Sequence, residues 1–224
     1  MDLWYTLVFT VLPYLCLTTF VLGHGYRYVT DRYGWNARSS EFLEKKTLLP
    51  GAVLFHWGIV FTFLGHAAGL LMPQRVLDRL GIGSEAHLVI AYWSGLAVGA
   101  AAFAGALLLL RRRMTEPRLQ AVHRLNDTVT IAALVLVVGA GLYNVVFGHY
   151  DVLYTVAPWI RGIVTFTPDA ALMKAVPISY KIHVTAAWLL LGFSPFSRLI
   201  HIWSLPLGYF LRSPILFRRR VPSL

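Results

Sequence analysis

Five apolar runs of about 20 residues each constrain this chain more than any other feature of its sequence. A helix rises about 1.5 Å per residue, so about 20 residues cross the roughly 30 Å of hydrocarbon in a bilayer. Hydrophobic residues make up 57% of the 224 residues and charged residues only 13%, which excludes a large water-soluble catalytic domain. The sequence therefore predicts an all-α integral membrane protein, a single transmembrane domain over residues 1–224. The five predicted transmembrane helices cover approximately residues 3–22, 51–72, 88–110, 128–147 and 182–203.

The basic residues fall into two unequal groups when the loops are divided by these spans. Fifteen Lys and Arg lie in the first and third loops, at the end of the fifth span and in the tail, whereas five lie in the second and fourth loops. Cytoplasmic loops carry the excess of positive charge, so the N-terminus is expected outside and the C-terminus in the cytoplasm. This topology explains the net charge of +10 without a nucleic-acid partner and predicts a multi-pass protein of the cytoplasmic membrane.

Cysteine content and chain termini narrow the possibilities further. The one cysteine, Cys16, lies in the first apolar run, which excludes disulfide frameworks, cysteine-ligated iron–sulfur clusters and a CxxCH haem attachment site. The first run lacks a positive leader segment, so we interpret it as a span and not as a signal peptide. The long fourth loop, with three prolines, is expected to contain a short interfacial helix.

Histidine is the main ionisable residue inside the predicted spans. Span two carries His56 and His66, and span five carries His183 and His201. Because the two spans run in opposite directions, His66 and His183 share the outer level, and His56 and His201 share the inner level. Two pairs of neutral imidazoles at two depths suit the axial ligation of two stacked haems b. The alternatives are hydrogen bonds between helices or a proton relay, although a relay normally recruits acidic residues or Lys within spans.

The spacing of these histidines is in tension with that pairing. Ten residues separate His56 from His66, about 15 Å of helix, whereas eighteen separate His183 from His201, about 27 Å. At 100° per residue, positions 183 and 201 do return to the same helix face. Helix tilt, side-chain reach and a bend at Pro195 would have to absorb a difference of about 12 Å.

Three glycines and an arginine extend the predicted site. Gly58, Gly65 and Gly69 would let either a flat macrocycle or a neighbouring helix approach the backbone of span two. Arg198, one turn before His201, is either a partner for a haem propionate or another positive-inside anchor. The other four histidines lie at span ends or in loops, where ordinary interfacial histidines are expected: His24, His87, His123 and His149.

Four segments of the sequence resemble the gamma subunit of respiratory nitrate reductase, a membrane cytochrome b. They are RYVTDRYGWNARSS after span one, LFHWGIVFTFLGHAAGLLMP through span two, LLLLRRRMTEPR after span three and FSPFSRLIHIWSLPLGYF through span five. The resemblance runs over most of the chain. It implies five spans and two haems b, the inner one ligated by His56 and His201 and the outer one by His66 and His183.

The resemblance also implies a place in an electron-transfer complex. Membrane quinol would be oxidised at the outer side, and electrons would pass inward to an iron–sulfur subunit and on to a molybdenum subunit that reduces nitrate. In this family a basic residue near the start of span three helps to form the quinol pocket, and His87, with Gly65 beside the outer haem, is the candidate here.

Two other functions stay open at this stage. A dihaem cytochrome b of another quinone-linked complex, of the sulfite-reductase or heterodisulfide type, would use the same histidines with a different partner. A membrane anchor or transporter without redox activity would bind no haem.

Overall fold

A computed structural model describes residues 3–31, 43–122 and 124–203, apart from the side chain of Trp203. Within these residues every regular element is helical, so the predicted all-α class is confirmed for the described part of the chain. Predictions that concern Arg32, Arg38, His123 and the basic tail after Trp203 lie outside the described residues.

Four helices are long and apolar enough to cross a membrane, and they correspond to the first four predicted spans. They are α1 (Leu3–Thr30), α2 (Leu48–Leu71), α3 (Ser84–Thr115) and α4 (Leu125–Gly148). Most of their ends lie several residues beyond the predicted ones, because polar residues continue α1, α3 and α4 past their apolar cores. Pro73 sets the end of α2, since the residue before a proline is driven to extended backbone, as Met72 is.

A shorter helix, α5 (Val156–Val164), lies in the loop after α4, and the predicted short helix in this loop is thereby confirmed. Its Trp159 is fully buried and donates from Nε1 to the Phe9 carbonyl of α1 at 2.7 Å. Arg161 donates from Nη1 to the Met72 carbonyl at the end of α2 at 2.8 Å. The loop is therefore tied to two of the long helices and closes one end of the bundle.

The fifth predicted span is not one continuous helix. The helix α6 (Ile178–Phe193) is followed by two 3₁₀ turns, Ser194–Phe196 and Arg198–Trp203. Ser197 between the turns has extended backbone, with φ −121° and ψ −179°. Pro195 has no N–H to donate, and a proline ring clashes with the carbonyl four residues earlier in an α-helix, so the α-helix ends before it. Sixteen residues of α-helix rise only about 24 Å. The predicted span over 182–203 is therefore not a single α-helix, and a fifth crossing stays a prediction.

Contacts between the helices define their order in the bundle. Helix α2 packs on α3, α3 on α4, α4 on α6 and α6 on α1. The closest approach joins α2 and α3, where a Cβ on Gly58 would lie 2.4 Å from the Ala102 nitrogen and one on Gly105 would lie 2.3 Å from the Phe55 nitrogen. Gly58 thus serves the approach of a neighbouring helix. The four predicted ligands lie on α2, on α6 and on the turn after α6. In this order α2 and α6 are not adjacent.

The bundle has two ends, which we name by the side of the membrane that the charge distribution predicts. At the outer end, the first residues of α1, α3 and α6 meet the last residues of α2 and α4, and the Ser84 hydroxyl donates to the Asp151 carboxylate. The inner end holds the last residues of α1 and α3, the first residues of α2 and α4, and the two 3₁₀ turns.

Candidate functional site

Two pairs of histidine rings bridge from α2 to α6 and the turn that follows it. The ring centres of His66 and His183 lie 6.1 Å apart near the outer end, with the ring planes 35° apart. The ring centres of His56 and His201 lie 6.0 Å apart near the inner end, with the planes 67° apart. The structure therefore brings together the same two pairs that the opposite directions of the two spans predict.

One hydrogen bond orients each of the four rings. In every case Nδ1 lies against a backbone carbonyl, and because a carbonyl only accepts, Nδ1 must be the N–H donor. The acceptors are the carbonyls of Ala52 for His56 at 2.8 Å, Thr62 for His66 at 2.8 Å, Val137 for His183 at 3.0 Å and Arg198 for His201 at 2.5 Å. Nε2 then carries the lone pair in all four rings, which is the tautomer of a metal-ligating imidazole whose other nitrogen donates to a carbonyl.

The distance within each pair suits a metal ion between the rings. Two imidazoles that each bond one metal ion at about 2 Å place their ring centres about 6 Å apart. Within the described residues no cluster of three or more His, Cys, Asp or Glu could hold a metal ion, so each pair offers only two ligands. A metal that brings its other four ligands with it, as haem iron does, fits such a pair, and the donor set is suited to haem.

The break after α6 removes the mismatch in spacing. A continuous helix would carry His201 about 27 Å from His183, well beyond the level of His56. Instead α6 ends at Phe193, and the extended Ser197 redirects the chain into the 3₁₀ turn that contains His201. The bend expected at Pro195 is therefore a full interruption of the helix.

Helix α4 shapes the outer pair although it carries no histidine. A Cβ on Gly141 would lie 2.9 Å from Cε1 of His183, closer than real Cβ contacts allow. One turn before it, the Val137 carbonyl accepts the His183 Nδ1–H. Gly141 was not among the predicted site residues. The only signal was a glycine four residues after Val137, on the same helix face.

Asp127 organises the inner end. Its carboxylate accepts from Nε and Nη2 of Arg198, the latter at 3.0 Å, and from Nη2 of Arg113 at 2.5 Å. The Asp127 side chain is only 5% exposed. Helix α4 begins at Leu125, so this acid lies inside a helix whose predicted start was residue 128. Arg198, predicted either to bind a propionate or to anchor the span, has a carboxylate partner that the sequence did not reveal.

The candidate quinol residues lie near the outer pair. His87 is buried in the first turn of α3, and its Nδ1 has no hydrogen-bond partner among the described residues. Its Nε2 lies 3.2 Å from where a Cβ on Gly69 would be, so this glycine makes room for the His87 ring. A Cβ on Gly65 would meet nothing within 4 Å, which leaves open space beside His66.

A second ion pair closes the first loop against α3. Arg112 donates from Nε to the Glu44 carboxylate at 2.7 Å, and the Thr47 N–H donates to the same carboxylate at 2.8 Å. The Thr47 N–H and then the Arg112 guanidinium hold the pKa of Glu44 below its ordinary value, because both stabilise the charged form. We call this cluster of Glu44, Thr47 and Arg112 the loop clasp.

Comparisons with known proteins bear on the whole chain. A family profile described as nitrate reductase gamma subunit matches residues 5–220. The nitrate reductase gamma chain of Bacillus subtilis (strain 168) is 40% identical over 214 residues, which cover 94% of this chain and 96% of that one. The respiratory nitrate reductase 1 gamma chain of Escherichia coli (strain K12) is 33% identical over 217 residues, or 95% and 96%. The nitrate reductase-like protein NarX of Mycobacterium tuberculosis is 34% identical over 225 residues, 98% of this chain but 34% of that protein.

Proposed function

Because the chain belongs to the nitrate reductase gamma subunit family, we propose that it is the dihaem, quinol-oxidising cytochrome b subunit of a respiratory nitrate reductase. Membership rests on a match over residues 5–220 and on full-length relatives at 40% and 33% identity. The four long apolar helices make the chain a multi-pass membrane subunit. The cofactors, the quinol site, the partner subunits and the cytoplasmic membrane as its location are parts of the proposal.

The two histidine pairs are the observation that carries the proposal. His66 and His183 would hold the outer haem b, and His56 and His201 the inner one. Each ring is locked by a carbonyl at Nδ1 and presents Nε2 as the basic nitrogen, so little rearrangement of the side chain is needed on binding. Bound there, two haems would supply a one-electron relay from the outer to the inner end.

At the outer end, the protein's part in quinol oxidation would be to bind the quinol and accept its protons. His87 is buried, and its Nδ1 has no partner among the described residues, so it can hydrogen-bond a quinol hydroxyl or take its proton. The open space beside Gly65 lies next to His66 and supports access for a flat ring there. We assign His87, with Gly65, to the quinol pocket.

At the inner end, the chain would meet an iron–sulfur electron-transfer subunit, which passes electrons to a molybdenum subunit that reduces nitrate. The curated relatives at full length are named as gamma chains of nitrate reductase, and a gamma chain implies companion subunits. Nitrate would be reduced on the molybdenum subunit, and this chain would contribute the membrane half of the reaction.

The deciding experiment is a reduced-minus-oxidised optical spectrum of the purified chain in detergent, with haem per polypeptide measured as the pyridine haemochrome. A b-type spectrum with about two haems per chain is expected, because there are two bis-histidine pairs. A chain expressed with ample haem that binds none would overturn the proposal and favour a non-redox anchor. Two haems with no quinol:nitrate activity in the assembled complex would instead favour a different quinone-linked partner.

A further inference from the structure

Two adjacent residues at the start of α4 bond the segment that follows α6. Asn126 donates from Nδ2 to the Phe196 carbonyl at 2.8 Å, just before the extended Ser197. Asp127 accepts from Arg198, just after Ser197, through Nε and Nη2. The point at which the chain changes direction is thus held on both sides by one helical turn of α4.

The residues that α4 bonds are connected in turn to a predicted ligand. The Arg198 carbonyl accepts the Nδ1–H of His201 at 2.5 Å, and both residues lie in the same 3₁₀ turn. The backbone of this turn is also held by the buried side chains of Leu199 and Ile200 and by the Ser197 hydroxyl, which accepts from the Leu199 N–H at 3.1 Å. The His201 ring itself, however, bonds the Arg198 carbonyl, and 3₁₀ hydrogen bonds are poorer in geometry than those of the α-helix that ended at Phe193. The orientation of the His201 ring therefore depends on where Arg198 is fixed.

Charge explains why an acid is needed at this place. The Arg113 and Arg198 side chains converge on one carboxylate and are only 17% and 35% exposed. Without the Asp127 charge, two partly buried guanidinium groups would repel each other, and removing one member of a buried ionic cluster costs more than the cluster contributes as a whole. Arg198 is the more exposed of the two, so we expect its side chain to be displaced first, which removes the tie between α4 and the backbone segment that bonds His201.

We propose that Asp127 is a positioning residue for the inner haem ligand His201, acting through Arg198 and assisted by Asn126. The inference rests on the proposed function, because it takes His201 to be an axial ligand. Asp127 is not itself one of the four predicted ligands. Its role is to fix the backbone segment that orients the imidazole.

The test compares Asp127→Asn with Glu44→Gln. Both changes remove one carboxylate from an arginine at the inner end, but the loop clasp joins the first loop to α3, whereas Asp127 bonds the turn that holds His201. Redox titration of the purified chain, which separates the two haems by potential, is expected to show the inner haem altered in Asp127→Asn. Retention of the inner haem against a haem-scavenging protein should fall about 10-fold, as it does when other groups that orient a metal ligand are changed. The outer haem in the same molecule is the internal reference.

A haem-independent readout separates this inference from the proposed function. Hydrogen exchange of the 198–203 segment in chain prepared without haem is expected to accelerate about 10-fold in Asp127→Asn and to stay unchanged in Glu44→Gln. Asn126→Ala keeps the ionic cluster, and we expect it to accelerate exchange of the same segment by a smaller factor. This variant replaces Asp127→Asn in the test if Asp127→Asn does not accumulate. Asp127→Glu should recover part of the inner-haem signal.

Three outcomes would overturn the positioning role. These are an unaltered inner haem and unchanged exchange in Asp127→Asn, equal effects of Glu44→Gln, or parallel loss of both haems, which indicates general destabilisation. A wild-type chain without haem would instead overturn the proposed function, while the exchange comparison would still report whether Asp127 fixes the turn.

Discussion

The outer and inner histidine pairs have nearly the same separation but are built by different means. His183 of the outer pair lies within the regular helix α6, where its ring rests on Gly141 and bonds the Val137 carbonyl of α4. His201 of the inner pair lies in a 3₁₀ turn beyond a helix break, and its ring bonds a carbonyl of that same turn. The outer pair is fixed by close packing of helices, and the inner pair by an ionic cluster and side-chain hydrogen bonds.

Because they are built differently, the two pairs are sensitive to different changes. Close packing between helices tolerates little added volume. An ionic cluster responds to the loss of one charge, because the remaining charges stay partly buried. Loss of one haem without the other, in variants at Gly141 or at Asp127, would separate the two designs.

Removing a ligand from each pair should have the largest effect. His66→Ala is expected to lose the outer haem and quinol-dependent activity, and to leave about one haem per chain. In the complex, nitrate reduction by an artificial donor that acts on the cytoplasmic side should be largely intact. His201→Ala should remove the inner haem instead. Haem stoichiometry and the redox titration of each variant are the measurements, and retention of both haems in either variant would refute the ligand assignment.

Adding one methyl group to α4 should damage only the outer pair. In Gly141→Ala the new Cβ would lie 2.9 Å from Cε1 of His183, so the ring or the helix must shift, although alanine is intrinsically the better helix former. We expect loss or a changed spectrum of the outer haem, with the inner haem unchanged. Gly99→Ala is the matched control, because its Cβ would make an ordinary contact of 3.4 Å with Leu142. Equal spectra for the two variants would show that Gly141 does not define the pair.

A change at His87 should affect quinol turnover but neither pair. His87→Leu removes a buried nitrogen that has no partner among the described residues, so the fold should tolerate it. We expect kcat/KM for quinol to fall about 10-fold, as for one lost hydrogen bond to substrate, with haem content unchanged. His149→Asn is the control, since this exposed outer-end histidine has a left-handed backbone that Asn tolerates. A similar loss of activity in both variants would argue against a specific role for His87.

The sequence predicts much of this arrangement because its signals are strong and local. Four apolar runs of sufficient length correspond to four long helices. Histidine within a span is rare, so its presence indicates a functional residue. The opposite directions of two spans were enough to pair His66 with His183 and His56 with His201 by depth. These inferences need only the identity and order of residues.

What the sequence did not reveal depends on tertiary neighbours. Pro195 predicts a bend, but the full interruption of the helix involves Asn126 and Asp127, which are about 70 residues away along the chain. The role of Gly141 exists only because His183 of another helix lies against it. Asp127 stood just outside a predicted boundary, and no local pattern tells a buried acid from a solvated one at a helix start.

The smallest effect is expected at the loop clasp, where a pH titration contrasts the Arg112–Glu44 ion pair with the cluster at Asp127. The folded-state pKa of Glu44 lies below its ordinary value, so the clasp contributes stability above the ordinary Glu pKa of about 4.3 and loses it as pH falls through the lowered value. The exchange protection of the Thr47 amide, which donates to this carboxylate, reports on it. Corrected for intrinsic rates, protection should hold at neutral pH and drop only below the ordinary value. In Glu44→Gln it should show no such step. A loss that begins well above the ordinary pKa would mean that Glu44 is not held in its charged form, and the clasp would then not fix the first loop against α3.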